Sequence, residues 1–335
     1  MNESGYYLTG NENTKNIIHA IKNFNLVCEN FDLCKVPRKS IISHHDQTIR
    51  FTNSTSSVLK KFLSGEKKII EPGYYLVQPA MGLQGFDLWV REKEVEYFTS
   101  FFYSMGAIFA PDKMDLSVSV VLKLLNSLNL IDEVTIFLSP NQEDLADCAQ
   151  MIGLPVQVDS IGTYTHTFGI PYISGRHMEF KVMVGNQSIY IGSLIIVEDE
   201  RTQEITAIEV SFDSTLLISA MKKISNPILS LPCGGTCTEK LSINNVEWLA
   251  FVDTLYLSTV LMMDGLVPSG RGRGRNLRSI IIENKKLRNL LNLTDYEFQS
   301  LLFDCFFAEQ VIRKCCLGEE TYRTFDYILD MYNKV

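Results

Sequence analysis

The sequence predicts an α+β fold: a largely antiparallel sheet flanked by helices, followed by an all-α domain. Three observations carry this. Residues 48–213 contain seven short stretches rich in β-branched and aromatic residues, several of them alternating. Helical periodicity fills the gaps between them, and many consecutive strands favour antiparallel pairing with helices packed on the sheet. Beyond a stretch punctuated by Pro, Gly and Thr at 224–240, the pattern is helical to the end.

The expected strands are TIRFTN (48–53), YYLVQPAM (74–81), SFFYSMGAIF (100–109), EVTIFLS (133–139), MEFKVMV (178–184), SIYIGSLIIVED (188–199) and ITAIEVSFD (205–213). Helices are expected at about 12–28, 54–64, 115–129, 142–152 and 214–224. ISNPILSLPCGGTCTEK (224–240) reads as a linker, which places a boundary near 240 and gives two domains, 1–240 and 241–335. Four helical patterns follow, at 244–263, 275–291, 296–315 and 319–334, with apolar residues at three- and four-residue spacing.

The chain is acidic, with net charge −8, which argues against a general coat of nucleic acid but not against a local basic patch. The longest apolar runs, such as SIYIGSLIIV (188–197), are shorter than the roughly 20 residues of a membrane helix. MNESGYYLTG lacks the basic and apolar regions of a secretion signal, and the eight cysteines have no framework spacing, so a cytoplasmic protein with reduced thiols and no metal is expected. HME (177–179) and PCGGTC (232–237) have the outline of a zinc-deaminase signature, but three residues separate the cysteines where two are needed.

One stretch stands against the acidic background. In MDGLVPSGRGRGRNLRSI (263–280), arginine alternates with glycine ahead of a helical run, and residues 271–288 hold seven basic residues against one acid, Glu283. Glycine allows close backbone approach. The arginine fork matches phosphate oxygens, and a helix N-terminus favours anions. A flexible phosphate-seeking loop is therefore expected, with Arg271, Arg273, Arg275, Arg278, Lys285 and Lys286 as contacts to RNA and Arg288 further along the helix. The spacing fits neither a G-x-G-x-x-G fingerprint nor a P-loop.

This stretch resembles the alanyl-tRNA synthetases. DGLVPS (264–269) running into RGRNLRS (273–279) is similar to that family's D-G-V-x-P-S and R-G-Y-x-L-R-R, and Asp253 falls at the acid of its A-D-H-I-R stretch, with Thr254 and Tyr256 in place of the His and Arg. VPRKSIISHHDQTIRFTN (36–53), FLSG (62–65), TSFFYSMGAIF (99–109) and EETYRTFDYIL (319–329) resemble further family segments, in order along nearly the whole chain. The resemblance implies a class II synthetase catalytic-type domain followed by the helical tRNA-recognition domain, without the family's editing and C-terminal domains.

It also implies a depleted active site. Class II chemistry uses one arginine of motif 2 and one of motif 3 against the charge developing at phosphorus. The motif-2 position is Tyr97, flanked by Glu96 and Phe98; Arg91 is the nearest candidate for a replacement cation, with Lys93 close by. The best motif-3 counterpart is DSTLLISA (213–220), which keeps Asp213, replaces two glycines by Thr215 and Leu217, and ends in Ala220 instead of arginine. Leu217 is expected to occlude the adenine site. Glu179 in GRHMEF (175–180) and Tyr190 in YIGSLII (190–196) fall at amino-acid-pocket positions, with Ile191 at the family's asparagine. In the RNA-facing loop, Gly270 replaces an asparagine and Arg275 an aromatic, which relaxes base readout and keeps phosphate grip.

The expectation is thus an alanyl-tRNA synthetase-like protein that binds tRNA or the aminoacyl-tRNA acceptor stem without ATP-dependent activation, as a regulator or a component that uses aminoacyl-tRNA. Neither membrane nor DNA is an expected partner. An active enzyme with a remodelled site for alanine or a related small amino acid, with ATP and Mg as its cofactors, is one alternative. A scaffold binding a protein partner is another.

Overall fold

The computed structural model describes residues 11–43, 49–82, 99–234, 245–319 and 323–335. The first helix, α1 (Glu12–Asn30), starts where the Asn11 side chain accepts from the Thr14 amide at 2.9 Å. Its apolar residues Ile17, Ala20, Ile21, Phe24 and Val27 recur at helical spacing and are buried. The strands that follow are β1 (Cys34–Lys35), β2 (Tyr74–Met81), β3 (Phe101–Phe109), β4 (Val134–Leu138), β5 (Val156–Val158), β6 (Thr165–Thr167), β7 (Ile173–Val184), β8 (Gln187–Asp199) and β9 (Glu204–Asp213).

They form one sheet in the order β1-β2-β3-β9-β8-β7-β4-β5, with β6 paired to β7 off this path. The pairings β1–β2 and β4–β5 are parallel and the others antiparallel. Helices α2 (Ser56–Leu63), α3 (Met114–Ser127), α4 (Glu143–Ile152) and α5 (Ser214–Lys222) flank the sheet. The helices α6 (Val246–Met263), α7 (Gly272–Leu290), α8 (Asp295–Ile312) and α9 (Phe325–Lys334) complete the chain.

Alternation along the strands gives the sheet two different faces. Tyr103, Met105, Phe180, Val182, Val210 and Phe212 point into the main core, which also takes in residues of α1, α3, α5, α6 and α8. The opposite face is apolar at one end, where Leu76, Ile108, Ile195, Val197 and Ala207 pack under Leu59 and Leu63 of α2. Its other end is polar.

Most elements follow the expected pattern, with these corrections. TIRFTN (48–53) forms no strand among the described residues; an isolated Ile42–Phe51 bridge is all that pairs there. The short strands β1, β5 and β6 lie outside the predicted set, being two or three residues long with little alternation to read. The described part of the expected linker is packed rather than exposed: Pro227, Ile228 and Ser230 form a buried 3-10 turn, and Asn13 donates to the Leu229 and Leu231 carbonyls at 2.7 and 2.8 Å. Described residues of the β strands and of the C-terminal helices share one hydrophobic core. α6 is long and apolar enough to cross a membrane, unlike the runs considered from sequence, yet 89% of it is buried inside the protein.

Candidate functional site

The alternating Arg/Gly stretch is helical, not a flexible loop. α7 begins at Gly272, so Arg273, Arg275 and Arg278 stand on its first two turns. Gly274 is the reason the stretch closes tightly. A Cβ there would meet Ser269 Oγ at 2.3 Å and the Val267 carbonyl at 2.5 Å, so only glycine lets the 267–269 turn lie on the helix. The Ser269 amide then donates to the Gly274 carbonyl at 3.0 Å.

Helical spacing sorts the basic residues. Gly274, Leu277, Ile281, Asn284 and Leu287 face the core. Arg271, Arg275 and Arg278 follow one another at four- and three-residue steps along the outward face, and the Lys285–Lys286 pair lies about two turns further on. Arg271, Arg275, Arg278 and Lys286 are exposed, while Arg273 and Lys285 are half-buried. Lys286 pairs with Glu283 at 3.1 Å and Arg288 with Asp295. Among the described residues none of Arg271, Arg273, Arg275 and Arg278 pairs with a carboxylate.

Sequence reading missed a further member of this cluster, Arg50. With Ile49, Gly272, Arg273, Arg275 and Asn276 it lines a cleft of about 500 Å³. An Arg273 guanidinium nitrogen donates to the Ile49 carbonyl at 3.3 Å. The only sequence signal was a lone arginine inside TIRFTN, which reads as part of a strand.

The two walls of the cleft are tied together by a buried ionic cluster. Asp264, just before the 267–269 turn, accepts from the Ile41 amide at 2.8 Å and the Ser40 hydroxyl at 3.0 Å. It pairs with Arg313 at 2.7 Å and Arg38 at 3.7 Å. Burial alone would raise its pKa, but the two guanidiniums and the Ile41 and Ser40 donors hold it below the ordinary carboxylate range. Arg313 also pairs with the fully buried Glu309 at 2.7 Å, which accepts from the hydroxyls of Tyr103 and Tyr256 at 2.8 and 2.7 Å. Asp253 accepts from the Ser100 amide at 2.9 Å and so pins α6 to the start of β3. Residues 38–41, Asp264 ahead of α7 and the centre of the sheet are thus joined through one buried polar network.

The three amino-acid-pocket candidates share the polar end of the second sheet face. Glu179 pairs across the sheet with Ser193, Ser193 with Ser211, and Asp213 with Ser104, which itself lies opposite Gln78. Tyr190 donates to the Ser193 hydroxyl at 3.1 Å, and burial, with the carboxylates Glu179, Asp213 and Glu209 nearby, raises its pKa. Glu179 pairs with Lys181 at 2.7 Å and with His177 at 3.5 Å; these partners overcome the effect of burial and lower its pKa.

Asp213 is the N-cap of α5. One carboxylate oxygen accepts from the Thr215 and Leu216 amides at 2.7 and 3.1 Å and from the Thr215 hydroxyl at 2.7 Å, while burial pushes its pKa up to about 6. Leu217 and Ala220 are buried in the main core. Leu217 therefore fills the core and does not stand over the polar face, as its expected occluding role required. Glu209 is a second carboxyl that sequence reading missed. It accepts from the Ser56 hydroxyl at 2.7 Å, its other oxygen is buried without a partner, and burial pushes its pKa up to about 7.

Arg91, Lys93 and Tyr97 lie outside the described residues, as do His44 and His45. Among the described residues no group of three or more His, Cys, Asp or Glu is placed to hold a metal.

No protein-family profile matches this chain, and comparison with curated proteins finds no match. Among solved structures, a crystal structure provisionally named an aspartyl-tRNA synthetase, from Leishmania major Friedlin, is similar at a TM-score of 0.39 and 9% identity. The match covers 65% of this chain and 63% of that one, less than two thirds of its length. At this distance it assigns neither reaction nor ligand.

Proposed function

We propose that the chain is an alanyl-tRNA synthetase-like protein that binds the acceptor stem of tRNA, charged or uncharged, without activating an amino acid. The observation that carries the reading is the row of cations on the outward face of α7, which leads into the Arg50–Arg273–Arg275 cleft, its arginines without carboxylate partners among the described residues. In a chain of net charge −8, a local surplus of guanidinium groups fits a polyanion. The contacts are suited to phosphates, so they give grip and register more than sequence readout. Loss of activation is argued from the motif resemblance: Ala220 offers no cation to a phosphoryl group, and fixed cations there contribute several kcal/mol to class II chemistry. As a partner of aminoacyl-tRNA, the protein would act as a regulator or hand the acyl group to another enzyme.

A second reading has its own observation. Glu179, Asp213 and Tyr190 lie on one polar sheet face, as a pocket for an amino acid's ammonium group requires. Two measurements separate the readings. Fluorescence anisotropy with a tRNA acceptor minihelix at about 0.1 M salt tests the first, and no binding there ends it. Amino-acid-dependent ATP–pyrophosphate exchange across the standard amino acids tests the second: exchange with any of them replaces the non-activating reading, and its absence from folded protein removes the active-enzyme one.

A further inference from the structure

The cleft at the start of α7 has features that a simple basic stripe does not need. It brings three guanidiniums together from two distant chain segments, Arg50 on one side and Arg273 and Arg275 on the other, around about 500 Å³. None of the three is ion-paired among the described residues. Arg273 donates one nitrogen to the Ile49 carbonyl, yet its Nε is buried with no partner. Burying a charged donor unsatisfied is costly, and Arg273 as a whole is half-buried, which leaves its guanidinium edge for an acceptor in the cleft.

The backbone adds a second kind of donor. Gly272 has φ +55° and is followed directly by helical Arg273. A left-handed residue next to a right-handed one turns successive amides inward, the arrangement called a nest, which binds anions. A Cβ at Gly272 would meet nothing within 4 Å, so this glycine serves the backbone conformation and not a close approach. The amides of the first helical turn also have no intrahelical acceptor.

We propose that this cleft is a seat for a phosphate monoester, with the guanidiniums of Arg50, Arg273 and Arg275 and the 272–274 amides around its terminal oxygens. A monoester carries a charge of about −1.5 to −2 and three free acceptor oxygens. An internal phosphodiester carries one charge and has two of its oxygens tied into the chain. Three arginines lining one cleft plus a nest match the monoester, whereas the open row Arg278–Lys285–Lys286 suits backbone diesters. The proposal deepens the RNA reading by naming the 5′-phosphate end of the RNA as the group distinguished. A free phosphate has the same chemistry and is the other source.

The test uses the full chain and two RNA minihelices identical except for a 5′-phosphate or a 5′-hydroxyl. Wild type is expected to bind the phosphorylated hairpin about tenfold more tightly, the scale of one or two charge-assisted hydrogen bonds. Arg50→Gln and Arg273→Gln should bind both hairpins alike, at the level of wild type on the hydroxyl form. Arg278→Gln should weaken both forms by the same factor. A thermal-shift arm compares inorganic phosphate with chloride at equal ionic strength, in wild type and Arg273→Gln. If the hairpins bind equally and phosphate gives no shift, the seat is overturned while the RNA reading stands. If neither hairpin binds, the RNA reading fails. A phosphate shift that Arg273→Gln abolishes then supports the seat with a small-molecule source, and no shift overturns it too.

Discussion

Replacing Asp264 by asparagine keeps the side chain's shape and removes its charge. Asp264 is 3% exposed and Arg313 5%, so the pair is shielded from water. Breaking a buried pair by neutralising one partner costs about 3–5 kcal/mol. Asparagine keeps an acceptor for the Ile41 amide, and Arg313 keeps Glu309 at 2.7 Å, so the lower end, about 3 kcal/mol, applies. A chain of 335 residues melts with an entropy of roughly 0.7 kcal/mol per kelvin, which converts the loss into a fall in Tm of about 4 °C. Urea unfolding at pH 7 measures it, with a thermal melt alongside. The sign with pH is fixed by the depressed pKa of Asp264: its stabilisation is present above the ordinary carboxylate pKa of about 4 and is lost as pH falls through the lower folded value, so the gap between wild type and variant closes in acid. The double variant with Arg313→Met should be less destabilised than the sum of the singles by about 1–3 kcal/mol. A loss below about 1 kcal/mol with additive singles would refute the claim that this cluster ties the cleft walls together.

Three further outcomes follow from the same geometry. The pKa of Glu209 is raised from 4.5 to about 7, so the folded state holds a proton that the unfolded chain releases, and stability falls as pH rises through that window; relative to wild type, Glu209→Gln should gain about 3 kcal/mol between pH 5 and pH 8, and parallel melts that stay parallel would contradict it. Gly274→Ala places a methyl on Ser269 and the Val267 carbonyl and should cost about 1–3 kcal/mol while weakening RNA binding; unchanged unfolding in urea would show that the 267–269 turn does not rest on the helix as described. Asp213→Ala should lose about 1 kcal/mol through the uncapped α5, whereas Asp213→Asn retains most of it; a loss of equal size in both would point to a role for the charge beyond capping.

The sequence by itself determined the order of the long elements, because strands of eight to thirteen residues and long helices write their period into the chain. It also determined the basic surplus of residues 271–288, since charge is local. The α6 and α8 helices were equally legible from their apolar spacing. The tertiary structure alone decided the rest, because it depends on residues far apart in sequence. Arg50 meets Arg273 across more than two hundred positions. The packing of 227–234 came from partners at Asn11 and Asn13 that no local signal predicts. The helical start at Gly272 depends on the 267–269 turn folding back onto Gly274, a contact that composition reads as a loop. Asp213 and Leu217 looked alike as remnants of a nucleotide site; the fold uses one as a helix cap and the other as core, since a residue's role follows from the face on which the chain places it.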